Sequence, residues 1–362
     1  MLLLYMDKQS GHAKVAEAVS EAFADIPNPH YHLYLIPLME ALYPWMEPLS
    51  KIHWWLRMNF VSFYNYLWQN SGLASKINTE KLRLILGLIS KKATAYCMQY
   101  RPQAIIFTHA FPSYLLNTHK CKEVRHFIGI ITDYEVHPYW VNDSIEYYFV
   151  PAEEIKEKLI FWKREPEKIF VSGLPIRKSV LSSKDKGEIC KEFGLKENLP
   201  IILVISGSQG MFPFNKIVKA IKLHYPKAQL LLLTGRNEKM YRKLLRLKLK
   251  DCVVLRYYNQ MWKIYSICDV AITKCGAVSI TELLAKNVPI IVFGKLPGQE
   301  KYNLSYFLAR NLVSYAQNVS ELINLVEEKL SQHATTPKIT TTTVVRLNAA
   351  EIIAKKLIEL LQ

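Results

Sequence analysis

An α/β fold with two Rossmann-like halves, each carrying a parallel sheet, is what the sequence predicts, and three features predict it. Short apolar runs of strand length alternate with amphipathic stretches of helix length, the pattern that repeated βα units leave behind. The runs form two groups, separated by a stretch rich in Lys, Ser and Gly with no sustained apolar run. The length of 362 residues suits two domains, at roughly 100–200 residues for each.

In the first group, strands are predicted at Met1–Met6, Tyr31–Ile36, Ala104–Phe107, Phe127–Ile131, Tyr147–Val150 and Ile169–Val171. Each is short and rich in Val, Ile, Leu or aromatics, as a strand covered on both faces must be. Helices are predicted at Ala13–Phe23, Met58–Trp68, Lys81–Cys97 and Glu153–Trp162, where apolar residues recur at helical spacing. In the second group the strands are Ile201–Ile205, Gln229–Leu233, Val253–Leu255, Val270–Ile272 and Ile290–Phe293. The helices between them are Phe214–His224, Lys239–Leu247, Ser279–Ala285 and Lys301–Ala309. A threonine-rich polar segment, Ala334–Thr343, precedes a last amphipathic helix, Leu347–Leu361. The expected division is a first domain over residues 1–172, a linker over 173–199, a second domain over 200–345 and a C-terminal helix over 346–362.

Composition narrows the class. Half the residues are hydrophobic and 22% charged, which excludes disordered and collagen-like chains. No apolar run reaches the roughly 18 residues that cross a bilayer, and Met1–Met6 lacks the basic lead and cleavage site of a signal peptide. A cytoplasmic chain is therefore expected. The six cysteines contain no Cys-x-x-Cys pair, so reduced, mostly buried thiols are expected rather than disulfides or a zinc site. Lys and Arg number 47 against 31 Asp and Glu, for a net charge of +16. Residues 1–150 hold 13 basic and 12 acidic side chains and residues 151–362 hold 34 and 19, so the excess lies in the second half. Such a field attracts nucleic acid, an anionic membrane or a phosphorylated substrate, and charge does not choose among them.

Ligands of open parallel sheets bind beyond the carboxyl ends of the strands, so the loops there hold the candidate chemistry. After the first strand comes Asp7-Lys8-Gln9-Ser10-Gly11-His12 and then a helix. Free amide groups at a helix start favour an oxygen-rich ligand, and either Asp7 or His12 is competent to take a proton from a hydroxyl. After Ile205 comes Ser206-Gly207-Ser208-Gln209-Gly210, whose glycines let backbone approach a phosphate. It is neither Gly-x-Gly-x-x-Gly nor a Walker loop, which counts against dinucleotide binding and phosphoryl transfer. In Thr273-Lys274-Cys275-Gly276-Ala277-Val278-Ser279-Ile280-Thr281-Glu282, Glu282 lies one helical turn in, where its carboxylate suits two hydroxyls of a ribose. Pro297-Gly298-Gln299-Glu300 with Asn303 clusters fixed donors and acceptors, as sugar hydroxyls require.

Two further segments stand out. Nine of the 26 residues in Tyr43–Trp68 are aromatic, Trp54 and Trp55 among them, with Lys51 and Arg57 interleaved. Core packing and a membrane interface both account for such a run. Arg236–Lys250 holds seven basic residues and one acid, Glu238, and a solvated helix face is the usual reason.

Together these loops resemble the monogalactosyldiacylglycerol synthase and processive diacylglycerol glucosyltransferase group of glycosyltransferase family 28, relatives of the undecaprenyl-linked peptidoglycan N-acetylglucosaminyltransferase. The family's opening Asp-x-Gly-x-Gly-His is kept at Asp7, Gly11 and His12, with Gln9 in place of a glycine. Thr132-Asp133 with His137-Pro138-Tyr139-Trp140 resembles the acceptor-side segment, and Gly173-Leu174-Pro175-Ile176-Arg177 the link between domains. Pro297-Gly298-Gln299-Glu300 and Asn303 match the donor-sugar loop, while Lys-Pro-Gly-Gly-x-Thr has become Lys274-Cys275-Gly276-Ala277-Val278-Ser279.

The resemblance implies a GT-B fold of two facing Rossmann-like domains, and an inverting transfer of galactose or glucose from UDP-galactose or UDP-glucose to the hydroxyl of 1,2-diacylglycerol. A polyprenyl-linked or other lipid acceptor is the alternative. Asp7 is then expected as the base with His12 beside it. Gly207, Ser208, Gln209, Gly210, Lys274, Gly276, Ser279 and Glu282 are expected on the donor, with Gln299, Glu300 and Asn303 on its hexose. Asp133, His137 and Trp140, with Trp54 and Trp55, are expected on the acceptor side. No Asp-x-Asp occurs, in keeping with chemistry that uses neither metal nor cofactor. An anionic membrane surface, not nucleic acid, is then the expected partner of the positive charge, which places the protein peripherally on the inner face of the cell membrane.

Overall fold

The computed structural model describes residues 1–6, 8, 10–27, 30–42, 80–116, 118–296, 298–333 and 344–362. The aromatic segment Tyr43–Trp68, with the helix expected inside it, and the threonine-rich segment Ala334–Thr343 lie outside the described residues. The chain forms two compact units, Met1–Arg177 with Pro297–Gln299 and Arg346–Gln362, and Lys178–Leu296 with Glu300–Val345.

The first unit carries strands β1 (Leu2–Tyr5), β2 (Tyr34–Pro37), β3 (Ala104–Phe107), β4 (His126–Ile130), β5 (Tyr147–Val150) and β6 (Ile169–Val171). They form one sheet in the order β2-β1-β3-β4-β5-β6, and every pairing is parallel. Leu3 pairs with Leu35 on one side and Ile106 on the other. All residues of β1 and β3 are buried, which explains why these strands read as continuous apolar runs. The chain moves outward from β1 to β2 and then returns past β1 to β3, so the winding direction reverses between β1 and β3.

Helix Gly11–Ala24 follows β1, with Ser10 as its N-cap accepting from the Ala13 amide. Its buried residues, including Val15, Ala16, Val19 and Phe23, recur at the spacing that makes one apolar face. The final helix, Ala349–Glu359, packs on that helix and buries Ile353, Ala354 and Leu357. The C-terminal segment 346–362 is therefore not a separate element, as the sequence led us to expect, but part of the first unit. Tyr31 Oη donates to the Leu361 carbonyl at 2.9 Å and ties the chain end in place.

The second unit holds β7 (Ile201–Ile205), β8 (Gln229–Leu233), β9 (Cys252–Leu255), β10 (Val270–Thr273), β11 (Ile290–Phe293) and β12 (Ser314–Ala316). Their order is β12-β11-β10-β7-β8-β9, again all parallel, with the reversal between β7 and β10. Val204, Leu230, Leu232, Ile272 and Ile291 from the sheet meet Phe214, Ile217 and Ile221 of the helix Phe214–His224 in the core. Strand β12 was not expected, because three residues reading Ser-Tyr-Ala at a sheet edge carry no apolar run.

The expected linker 173–199 is also corrected. Its second half folds as helix Lys186–Phe193, capped by Asp185 and ended by Gly194 at φ 67°. Ile189 and Cys190 are buried, and Lys186 Nζ lies 2.9 Å from Asp269 Oδ1, which fixes this helix to the second unit. Two buried residues in a short charged helix left no periodic signal to read. All six cysteines are free thiols, five of them buried, and burial pushes Cys97 up to about 12.

Candidate functional site

Both reversals of winding place loops where a parallel sheet takes its ligands. In the second unit the loop after β7 and the loop after β10 meet at Gly207, whose φ of 70° suits glycine. A Cβ there would lie 2.9 Å from Lys274 Cε, so the lysine side chain lies directly over the glycine. Lys274 Nζ reaches the Glu300 carboxylate at 2.7 Å. Glu300 is buried, as are Asn303 and Glu282. Asn303 Nδ2 donates to the Cys275 carbonyl at 3.3 Å, and Tyr265 Oη donates to Glu282 at 3.2 Å. Six of the expected donor residues, Gly207, Lys274, Gly276, Glu282, Glu300 and Asn303, thus lie on three successive strand-end segments tied to one another.

A Cβ on Gly276 would meet nothing within 4 Å. Gly276 caps the helix Ala277–Ala285 without a side-chain hydrogen bond, leaving amides at that helix start to receive an anion next to the Lys274 cation. Ser279 is half-buried on the first turn of that helix. Ser208 and Gln209 are half-buried on the first loop, and the Ser206 hydroxyl behind them is buried with no hydrogen-bond partner. Gln299 is half-buried at the start of helix Gln299–Leu308.

The loop after β8 belongs to this site, and the sequence reading passed over it. A Cβ on Gly210 would lie 1.8 Å from the Thr234 carbonyl oxygen, and one on Gly235 would lie 2.4 Å from the Ser208 carbonyl. The Arg236 amide donates to the Ser208 carbonyl at 2.7 Å and Asn237 Nδ2 to the Gly210 carbonyl at 2.9 Å. Thr234–Asn237 therefore fixes the shape of the glycine loop. Its signal was available in Thr-Gly-Arg-Asn directly after an apolar strand.

In the first unit His12, on the first turn of helix Gly11–Ala24, points Nδ1 at the Thr108 carbonyl oxygen, 2.7 Å away. Thr132 Oγ1 is 2.9 Å from the same nitrogen. A carbonyl only accepts, so Nδ1 carries the proton and Nε2 the lone pair. The His109 ring stands edge-on to that of His12, with centroids 4.7 Å apart. His109 Nδ1 accepts from the Phe111 amide at 3.0 Å, the opposite tautomer. Burial, then His12, then His137 hold His109 well below the usual imidazole range, so a neutral ring lies next to His12. His109 was missed although it follows a strand end.

His137 caps the short 3₁₀ turn Pro138–Trp140, accepting from the Tyr139 amide, and its ring packs against that of Tyr139. Asp133 is half-buried on the same segment. Trp140, expected against the acceptor, is instead a packing residue. Its ring is buried, and it lies 3.0 Å from where a Gly129 Cβ would be. Tyr148 Oη donates to its carbonyl. Asp7, Trp54, Trp55 and Pro297 lie outside the described residues. Among the described residues no group of three His, Cys, Asp or Glu is arranged to hold a metal ion, and no helix is long and apolar enough to cross a membrane.

Comparison with known proteins fits this geometry. Residues 12–176 match the Monogalactosyldiacylglycerol (MGDG) synthase family, and residues 201–355 match the Glycosyltransferase family 28 C-terminal domain. The chain is 27% identical to the chloroplastic monogalactosyldiacylglycerol synthase of Spinacia oleracea over 91% of its own length and 65% of that protein's. It is 25% identical to the processive diacylglycerol beta-glucosyltransferase of Bacillus subtilis (strain 168), over 92% of its own length and 88% of the relative's. It spans less than two thirds of the spinach protein, and 64% of the similar tobacco protein. Among solved structures it superposes on Acinetobacter baumannii MurG with a TM-score of 0.60 at 11% identity, covering 99% of both chains. The UDP-GlcNAc 2-epimerase of Neisseria meningitidis gives 0.65 at 13% identity, also over 99% of both. At these identities the likeness carries the fold alone, and that fold is GT-B, as expected.

Proposed function

Because the chain belongs to the monogalactosyldiacylglycerol synthase group of glycosyltransferase family 28, we propose that it moves a galactose or glucose from its UDP-sugar to the free hydroxyl of 1,2-diacylglycerol, with inversion at the anomeric carbon. The observation that carries the reading is the fixed tautomer of His12, whose Nδ1 proton goes to the Thr108 carbonyl.

With Nδ1 so engaged, His12 Nε2 is the group that accepts the proton of the acceptor hydroxyl. We therefore assign the base to His12, where the sequence favoured Asp7 with His12 beside it. The freed oxygen attacks the anomeric carbon, the bond from that carbon to the β-phosphate oxygen breaks, and UDP leaves. Charge on the departing phosphate is met by Lys274 and by amide groups of the Gly207–Gly210 loop and of the start of helix Ala277–Ala285. Glu282 takes the ribose hydroxyls, and Gln299, Glu300 and Asn303 the hexose. Ser208, Gln209 and Ser279 complete the diphosphate cradle, and Asp133 and His137 serve the acceptor side. In this reading the reaction needs no cofactor.

The acceptor stays in the bilayer, so the protein acts as a peripheral one, on the inner face of the cell membrane. The aromatic segment with Trp54 and Trp55, and the net charge of +16, support contact with an anionic lipid surface rather than with nucleic acid. The test is incubation with diacylglycerol liposomes and labelled UDP-galactose or UDP-glucose. A labelled hexosyl-diacylglycerol is the expected product. Transfer to a polyprenyl-linked acceptor alone, epimerisation of the UDP-sugar without lipid, or no turnover overturns the reading.

A further inference from the structure

We propose that the second unit has a lipid-docking surface of its own, at the end of the unit opposite the donor loops, formed by the C-terminal turn of helix Glu238–Arg246 and the turn beside it, and that its partner is an anionic phospholipid bilayer. The helix begins at Asn237, which holds the Gly210 loop, and runs nine residues away from it. At 1.5 Å per residue the helix is about 13 Å long, so its far end stands well away from the Gly210 loop.

Leu244 and Met240 on this helix pack into the core. Around its C-terminal turn Leu245 is 47% exposed and Leu247 49%, interleaved in the sequence with exposed Lys243, Arg246, Lys248 and Lys250. None of these four cations has a carboxylate partner among the described residues. Glu238, the acid of the helix, is already held by Arg242 and Arg256, each at 2.9 Å. The Leu230 amide donates to the Asp251 carbonyl at 2.9 Å, which brings the turn before β9 alongside the turn before β8. On that side Leu223, 73% exposed, and exposed Lys227 extend the same mixture.

Leucines and unpaired cations interleaved on one surface fit a bilayer boundary, where phosphates meet the cations and the acyl region takes the leucines. A nucleic acid answers the cations but leaves the leucines in water. The inference rests on the proposed lipid acceptor, which gives a donor-binding unit cause to hold to a bilayer.

The experiment is cosedimentation of the full chain with phosphatidylcholine vesicles, with and without phosphatidylglycerol. The variants are Arg246→Gln/Lys248→Gln/Lys250→Gln and Leu223→Ser/Leu245→Ser/Leu247→Ser. Affinity for the anionic vesicles should fall on the order of 100-fold in the charge variant, about fivefold for each cation removed near the surface. The leucine variant should lose the fraction that stays bound at high salt, where the Debye length is about 3 Å. UDP affinity should be unchanged in both, showing an intact second unit. Parental binding by both variants overturns the surface, and so does duplex DNA binding as tight as vesicle binding and lost in the same variants. If instead the parent binds vesicles yet makes no hexosyl-diacylglycerol, the acceptor reading fails while the docking surface stands.

Discussion

His12 Nδ1 lies 2.7 Å from the carbonyl oxygen of Thr108, so a backbone group at the end of the neighbouring strand sets the tautomer of this imidazole. A backbone acceptor does here what a carboxylate often does beside a catalytic histidine. It cannot be titrated away, and it leaves on Nε2 the lone pair that the proposed proton transfer needs.

The first prediction concerns that nitrogen. His12→Asn retains a hydrogen-bond donor at the δ position for the Thr108 carbonyl but no base, so kcat should fall about 100-fold or more with UDP affinity intact. Steady-state kinetics with diacylglycerol, measured beside Asp7→Asn, decides between the two. A larger loss in Asp7→Asn returns the role to Asp7.

The stability of the first unit should depend on pH through His109. Its ring is held below the usual imidazole range by burial first and by His12 and His137 next. Above pH about 6.5 the imidazole is neutral whether the chain is folded or unfolded. As the pH falls below that value the unfolded chain takes up a proton that the native ring refuses, so stability drops until the native value is reached. The slope from this one group is at most about 1.4 kcal/mol per pH unit. In urea denaturation between pH 7.5 and 5.5, His109→Asn should flatten the decline; an unchanged slope means that His109 is not its source.

Lys274 and Glu300, 2.7 Å apart, should act on the donor as a unit. Lys274→Met and Glu300→Gln are each expected to raise the KM for the UDP-sugar. The double variant should be less impaired than the sum of the two, with a coupling of about 0.5–3 kcal/mol. Strict additivity in the double-mutant cycle would mean that the ion pair is incidental to donor binding.

Two glycines separate fold from ligand. Gly210→Ala puts a Cβ 1.8 Å from the Thr234 oxygen in a backbone at φ 65°, and should cost about 2 kcal/mol or more of stability. Gly276→Ala meets nothing within 4 Å, so the melting temperature should hold while UDP affinity drops. Calorimetric melting and UDP titration of both variants check the pair, and full UDP affinity in Gly276→Ala removes this residue from the phosphate site.

By itself the sequence determined the α/β class, every described strand but Ser314–Ala316, every described α-helix of nine or more residues but Val319–His333, and the strand-end loops that hold the expected donor residues. Strands buried on both faces show as apolar runs, and helices with one buried face show a 3.6-residue period, so both are written locally. Helix Phe214–His224 was read with its final bounds for that reason. Segments whose order rests on few buried side chains were not legible, as with Ser314–Ala316 and with Lys186–Phe193, which the second unit claims through Ile189, Cys190 and the Lys186–Asp269 pair. Nor does spacing record that Ala349–Glu359 returns across the chain to cover Gly11–Ala24. The tertiary structure alone decided which nitrogen of His12 faces the Thr108 carbonyl, that Trp140 is packing, and that His109 lies against His12. Each of these depends on contacts between strand ends distant in sequence, and the sheet order, which no local pattern encodes, is what makes them neighbours.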